Sequence, residues 1–313
     1  MRLVSYADPF GRSTPGADLP DVGVVDLPRV LDAHGVAVPS SVADIFRRGQ
    51  DYQGAVRDVT AKINADPRHA EEQGWLLPRP ATLLAPLGER VLIVAAGTNY
   101  RSHVEEMGEE PPKKPAWFVK SPNSVIGSGA SVRIPGAAPD MVDFEGEFCV
   151  VFGRACHAVG AAEAVDYIGG YTIINDVSAR DAFPAIASAT TPEEGRWAWG
   201  DMLLGKQFPT FCPMGPAVVT ADEITDPANL TITTTLNGQL MQKGHTSDLL
   251  TGVAELIEQM SHYFSFEPGD VLSTGTPAGV GMGRKPPVFM RAGDEVRVGI
   301  EGIGELVNYI TGP

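Results

Sequence analysis

Positive charge is scarce in this chain. Its 313 residues carry 24 Lys and Arg against 39 Asp and Glu, a formal net charge of -15. Such an excess repels nucleic acid and anionic membrane surfaces, so neither is expected as a partner. A small anionic substrate stays possible, because a metal ion and a few placed cations invert the field locally. Long hydrophobic runs are also missing: Val91 to Ala96 is far too short to span a bilayer. The opening MRLVSYADPFGRS lacks the apolar core of a signal peptide, which sets the expectation of a cytoplasmic protein. There are only three cysteines, Cys149, Cys156 and Cys212, without paired zinc spacing. They suit a reducing compartment and are expected to be inert packing residues. No repeat and no low-complexity segment occurs. Abundance lies elsewhere, in 35 glycines and 26 prolines. They imply many turns and a β-rich α+β fold whose loops carry function.

One stretch organises the rest: Met141 to Phe152, MVDFEGEFCVVF. Its alternation predicts a half-buried strand, with Val142, Phe144, Phe148, Val150 and Phe152 on one face. Asp143, Glu145 and Glu147 fall on the other, where carboxylates two residues apart repel one another. No Lys or Arg within the stretch relieves that repulsion. Two readings follow: a solvated outer face of an antiparallel sheet, or a hard divalent cation held between carboxylates. One strand offers at most two ligands in useful geometry, so the second reading requires a third from elsewhere. Asp176, after the apolar run Tyr171 to Ile174, is a candidate, although a lone Asp after a strand is commonly a turn residue or a cap.

Residues 1–88 read as a small N-terminal domain and 89–313 as the main one. In the first, Leu3 to Tyr6 predicts a strand, and Asp26 to Ala33, Ser41 to Arg48 and Gln53 to Ala65 predict helices. Leu84 to Leu87 reads as a linker. In the second, Val91 to Val94 predicts a buried strand, and Arg101 to Met107 a short helix with His103 and Glu106 on one face. Pro111 to Pro115 reads as a lid-like segment. Asn237-Gly238 between two alternating runs predicts a type I′ hairpin. Leu249 to Phe264 carries helical spacing.

Several motifs in order resemble the fumarylacetoacetate hydrolase superfamily. They are Gly97 to His103 (GTNYRSH), Asp143 to Glu147 (DFEGE), Asn175 to Asp181 (NDVSARD), Gly205 to Phe208 (GKQF) and Ser273 to Val280 (STGTPAGV). The likeness runs from about Val91 to Ile310. It implies a mixed β-sandwich roll catalytic domain, a homodimer, and Mg²⁺ or Mn²⁺ held by Glu145, Glu147 and Asp176. It also implies a small-molecule 2-oxo acid or β-diketo acid substrate whose carbonyl is polarised by the metal, so that enolate charge develops beside it. By the same resemblance Lys206 stabilises the enolate, Glu106 orients His103 as general base, and Arg180, Thr276 and Tyr100 contact substrate. Without it, Lys206 reads as a surface lysine and His103–Glu106 as an exposed helix pair. Two departures stand out. Hydrolytic members often have glutamine where this chain has Phe183, and Phe183 to Leu204 is longer than the family's usual connection. The reactions implied are acylpyruvate-type hydrolysis, oxaloacetate decarboxylation and enol–keto isomerisation of a 2-hydroxy-dienedioate of aromatic catabolism. A non-catalytic 2-oxo acid sensor on the same fold is the alternative.

Overall fold

The computed structural model describes residues 1–78, 80–88, 91–181 and 183–312, with the backbone only of Phe183 and Ala187. The domain boundary expected between residues 88 and 89 abuts residues 89 and 90, outside the described residues, as does the side chain of Phe183.

Among the described residues the main sheet has eleven strands. Its path runs Gly23–Asp26, Ser13–Leu19, Arg2–Ala7, Cys212–Thr220, Ile168–Asn175, Gly146–Phe152, Val271–Ser273, Ile93–Gly97 and Ala116–Lys120. Neighbours along it are antiparallel except Val271–Ser273 beside Ile93–Gly97. The N-terminal strands therefore continue the same sheet, through the pairing of Arg2 and Leu3 with Val219 and Val218. Leu84, expected in a linker, pairs with Ser5. A five-stranded sheet contains the predicted hairpin, Thr231–Leu236 and Gln239–His245. Asn237 (φ 52°) and Gly238 (φ 78°) supply the left-handed conformations of its turn.

The predicted helices form close to their expected places. Asp26 and Ser41 cap Leu27–Ala33 and Val42–Arg47 by accepting from Arg29 N and Asp44 N. Gly49–Ala65 starts four residues before the expected Gln53, because its first turn is polar and led by glycine. The helix in Leu249 to Phe264 is confined to Val253–Ser261. Phe183 to Leu204 folds as two helices, Phe183–Ser188 and Pro192–Leu204. The second opens with a reciprocal capping box between Thr191 and Glu194.

Met141 to Phe152 departs from the half-buried strand that its alternation predicts. It breaks at Phe144 and Glu145, leaving Val142–Asp143 and Gly146–Phe152, and every residue from 143 to 152 is buried. Both faces are covered. Phe148, Val150 and Phe152 pack with Leu256, Ile257, Met260 and Phe266, and Phe152 stacks on Phe266 at 4.2 Å between centroids. Cys149 and Val151 belong to the core formed with Leu27, Leu31, Ile45, Phe46 and Val59. At about 1.5–3 kcal/mol per buried large apolar side chain, these two layers clamp the strand. Its acidic residues are thus enclosed, and the solvated-face reading does not hold.

Candidate active site

Register brings the acids together. Gly146 pairs with Asn175 where Gly146–Phe152 begins and Ile168–Asn175 ends, so the next residue outward on each strand, Glu145 and Asp176, meet at one sheet edge. Asp176 N donates to Glu145 O at 2.8 Å, and Glu145 N donates to Asn175 Oδ1 at 2.9 Å. Glu147, one step inside, completes the set: carboxylate oxygens of Glu145, Glu147 and Asp176 lie within 4.8 Å of one another. Backbone room matters too. A Cβ at Gly146 would sit 2.5 Å from Thr234 Oγ1, which explains the glycine between the two glutamates.

The cations absent from the strand come from three other elements. Lys206 Nζ donates to Glu145 Oε2 (2.7 Å), Asp176 Oδ2 (2.5 Å) and Ser178 Oγ (2.8 Å). Arg180 donates to Glu145 Oε1 and, at 3.3 Å, to Asp143 Oδ2. Lys120, which sequence reasoning missed, is 1% exposed; its Nζ donates to Asp176 Oδ1 (2.6 Å), Phe211 O (2.9 Å) and Lys206 O. Period two contained a signal for it, since Ala116, Phe118 and Lys120 share one face of their strand and the first two line the cavity. Asp143 is fully engaged, by Arg180 and by the backbone N–H groups of Gly281 (2.7 Å), Met282 (3.1 Å) and Phe144 (2.9 Å).

Glu145 and Glu147 differ sharply in their electrostatics. Burial works to raise Glu145, yet Arg180 and then Lys206 hold it well below the usual carboxylate range. Burial and the charges of Asp176 and Glu145 push Glu147 well above that range. Among the described residues Glu147 has no ion-pair partner; Ser273 Oγ donates to it and in turn accepts from Cys149 Sγ at 3.0 Å. A buried carboxylate facing two others with no cation of its own fits a divalent ion, and these three residues are the ones that would hold it.

His103 and Glu106 sit on the helix Arg101–Glu106, with His103 Nδ1 3.4 Å from Glu106 Oε2. Gly279 N donates to both Glu106 oxygens at 2.9 and 3.0 Å. Gly279 has φ 104°, and a Cβ there would lie 2.2 Å from Met241 O, so only glycine brings this N–H to the helix. His103, Glu145, Glu147, Asp176, Arg180, Lys206 and Thr276 line one cavity of about 90 Å³. Thr98, also lining it, is held at φ 53° in the turn between strand and helix. The Thr276 hydroxyl is engaged by Gly146 O (3.0 Å) and Gln242 Nε2 (2.8 Å). Tyr100 is not brought to the cavity. It is wholly buried in the core, its hydroxyl 3.3 Å from Thr274 Oγ1. His157 and His245 likewise stand outside the cavity lining, and His262 faces a different depression.

A wider cleft of about 1070 Å³ lies among the N-terminal strands and helices. Among the described residues its charged groups are paired at the rim, Arg12 with Asp8 and Arg29 with Asp26, and no carboxylate cluster lines it. The buried carboxylate cluster lines the smaller cavity instead.

The fold places a buried carboxylate triad and a lysine around one small cavity. Residues 92–311 match the family model described as fumarylacetoacetate (FAA) hydrolase C-terminal. The chain belongs to this family and is an enzyme of its hydrolase, isomerase and lyase group. It is 40% identical to human mitochondrial oxaloacetate tautomerase FAHD2B over 99% of this chain and 91% of that one. Identity to the rat mitochondrial oxaloacetate tautomerase Fahd2a is 37% over 92% of this chain and 84% of the other. Among solved structures, a fumarylacetoacetate hydrolase from Exiguobacterium antarcticum superposes with a TM-score of 0.77 at 29% identity, covering both chains fully. A 5-carboxymethyl-2-hydroxymuconate delta-isomerase from Mycobacterium smegmatis gives 0.69 at 31%, covering 100% of this chain and 99% of that one. No described helix is long and apolar enough to cross a membrane.

Proposed function

We propose that the protein tautomerises 2-oxo acids between enol and keto forms, using Mg²⁺ or Mn²⁺ held by Glu145, Glu147 and Asp176. The observation that carries this reading is the buried triad with Lys206 bridging two of its members, in a cavity that also contains His103. The bound ion would supply Lewis acidity at the substrate's 2-oxo group. All else falls to the protein's own side chains. Lys206 exchanges one of its present partners for the substrate oxygen on which enolate charge develops. His103 Nε2 takes the proton from the substrate's carbon 3 or its enol and returns it, while Glu106 at Nδ1 fixes the tautomer and orients the ring. Arg180 holds Glu145 and Asp143 in place, and Lys120 holds Asp176 from behind. Thr276 and Tyr100 act through the walls: one anchors the strand start at Gly146, the other fills the apolar core and meets Thr274. The relatives named oxaloacetate tautomerases support the reaction type.

Cleavage of a β-diketo acid is a second reading, favoured by one observation. His103 backed by Glu106 is the arrangement that activates a water, and a maleylpyruvate hydrolase from Sphingobium shares the fold with a TM-score of 0.73 at 26% identity. Residues 1–88 would act as a small domain whose strands extend the main sheet, in a homodimer working in an aqueous compartment such as the cytoplasm. The test follows loss of enol absorbance for oxaloacetate and acetylpyruvate with Mg²⁺, in wild type and His103→Ala. Proton transfer through His103 predicts a loss of about 10²- to 10⁴-fold in the variant. Equal rates in both proteins would remove His103 from the mechanism.

A further inference from the structure

Gln242 stands on the hairpin strand Gln239–His245 of the five-stranded sheet, and it is wholly buried. The ladder with Thr231–Leu236 pairs Thr234 with Gln242 and Thr235 with Leu240, so Met241 is an extra residue. This bulge breaks the alternation, and Met241 and Gln242 are buried in succession. A glutamine so placed has two donors and two acceptor lone pairs to satisfy inside the protein. Four bonds do so. Its Oε1 accepts from Gly146 N (2.9 Å) and Thr234 Oγ1 (2.7 Å). Its Nε2 donates to Thr276 Oγ1 (2.8 Å) and Pro277 O (2.8 Å), both in the STGTPAGV turn.

Two of these partners have fixed roles, and they settle the rest. A backbone N–H only donates and a carbonyl only accepts, so Gly146 N and Pro277 O determine which end of the amide is which. Nε2 therefore donates to Thr276, whose own proton is left for Gly146 O at 3.0 Å. Gly146 is thus gripped at both polar atoms of its backbone, the N–H by Gln242 directly and the C=O through Thr276. Its chain neighbours are Glu145 and Glu147. The direction in which each carboxylate leaves the backbone depends on the two peptide planes that Gly146 joins. Glycine has no side chain with which to fix them, and a Cβ here would lie 3.3 Å from Gln242 Oε1.

We propose that Gln242, acting with Thr276, is a positioning residue that fixes the peptide planes about Gly146 and so holds the Glu145 and Glu147 carboxylates at the separation a divalent ion requires. The inference rests on the metal role proposed above for the triad, and extends it to a residue outside the cavity lining. Groups that orient metal ligands from behind govern about 10- to 100-fold in metal affinity.

The test measures Mn²⁺ affinity by calorimetry and the urea midpoint in wild type, Gln242→Met, Thr276→Val, Thr276→Ser and the Gln242→Met/Thr276→Val double variant. Asn308→Leu is the control for a purely structural loss: Asn308 is 1% exposed, donates to Gly127 O and Ala130 O at 2.9 Å, and lies outside the cavity lining. Gln242→Met and Thr276→Val should each weaken Mn²⁺ by about 10- to 100-fold. Thr276→Ser should restore the affinity, and the double variant should lose little beyond the larger single loss, because both changes release the same residue. Asn308→Leu should lower the urea midpoint and leave Mn²⁺ affinity unchanged. Wild-type affinity in Gln242→Met, or losses that add fully in the double variant, would overturn the proposal. If Gln242→Met does not fold, equal affinities in Thr276→Val and Thr276→Ser overturn it. If wild type binds no Mn²⁺, the metal reading fails, and crystal structures of apo wild type and Thr276→Val decide the positioning. Displacement of the Glu145 or Glu147 carboxylate by more than about 0.5 Å upholds it, and unchanged positions overturn it.

Discussion

The N-terminal cleft and the catalytic cavity both contain ion pairs of ordinary length, yet the pairs differ in kind. Arg12 meets Asp8 at 2.7 Å with the arginine side chain 74% exposed, and Arg29 meets Asp26 at 3.0 Å with 67% exposed. Lys120 meets Asp176 at 2.6 Å with both partners 1% exposed. Water screens the first two and leaves them worth little. The third sits where an unpaired charge is strongly unfavourable, so each partner is held in place by the cost of losing the other. Four buried carboxylates, Asp143, Glu145, Glu147 and Asp176, face three buried cations, Lys120, Arg180 and Lys206. Among the described residues Glu147 is the acid of this set without a cation of its own, and burial with the charges of Asp176 and Glu145 raises it. Charge at the N-terminal cleft decorates a surface, whereas charge in the cavity is enclosed and mutually held.

Removing charges one at a time sharpens this contrast. Lys206→Ala should reduce turnover of any 2-oxo acid by about 10²- to 10³-fold, measured as kcat, because it deletes the donor to developing enolate charge. Lys120→Met should act chiefly on the fold. Breaking a buried pair predicts a destabilisation of about 3–5 kcal/mol, read from the urea midpoint. A loss below about 1 kcal/mol would place Lys120 with the surface pairs.

The pH dependence of the metal-free protein tests Glu147. Its carboxyl is raised in the fold by burial and by Asp176 and Glu145. A raised acid contributes stability below the unfolded-state value, about 4.3 for glutamate, and loses it as pH climbs through the folded-state value. Wild type without metal should therefore lose Tm as pH rises through that window, and Glu147→Gln should flatten the decline. Glu145, lowered by Arg180 and Lys206, has the opposite sign and weakens the fold only as pH falls. At the bottom of the scale, Arg12→Ala should change stability by less than about 1 kcal/mol and leave turnover unaltered.

Much of this was legible in the sequence, for reasons particular residues make plain. Asp26 and Ser41 announce helices because a side-chain oxygen satisfies an unpaired N–H, and Asn237-Gly238 announces a hairpin because both residues tolerate positive φ. Asp143, Glu145 and Glu147 were visible as a face of like charge with no internal relief, whereas Asp176 joined them only through the family resemblance. Their surroundings were not visible. The cover on the Cys149 face comes from residues 27–63, far away in the chain, so alternation alone indicated a solvated side. The break at Phe144 and Glu145 leaves no compositional mark. Lys120 is a single cation ending a short strand, and only the partners Asp176 and Phe211, 56 and 91 residues later, reveal its burial. Tyr100 stands in a motif yet turns into the core, where its ring packs with the apolar cluster around Phe148 and its hydroxyl meets Thr274.

The most direct test of the central claim is calorimetric titration of the apo protein with Mn²⁺, for wild type, Glu145→Ala, Glu147→Ala and Asp176→Ala. The account predicts one binding event in wild type that disappears in each variant. Unchanged Mn²⁺ affinity in all three variants would contradict it.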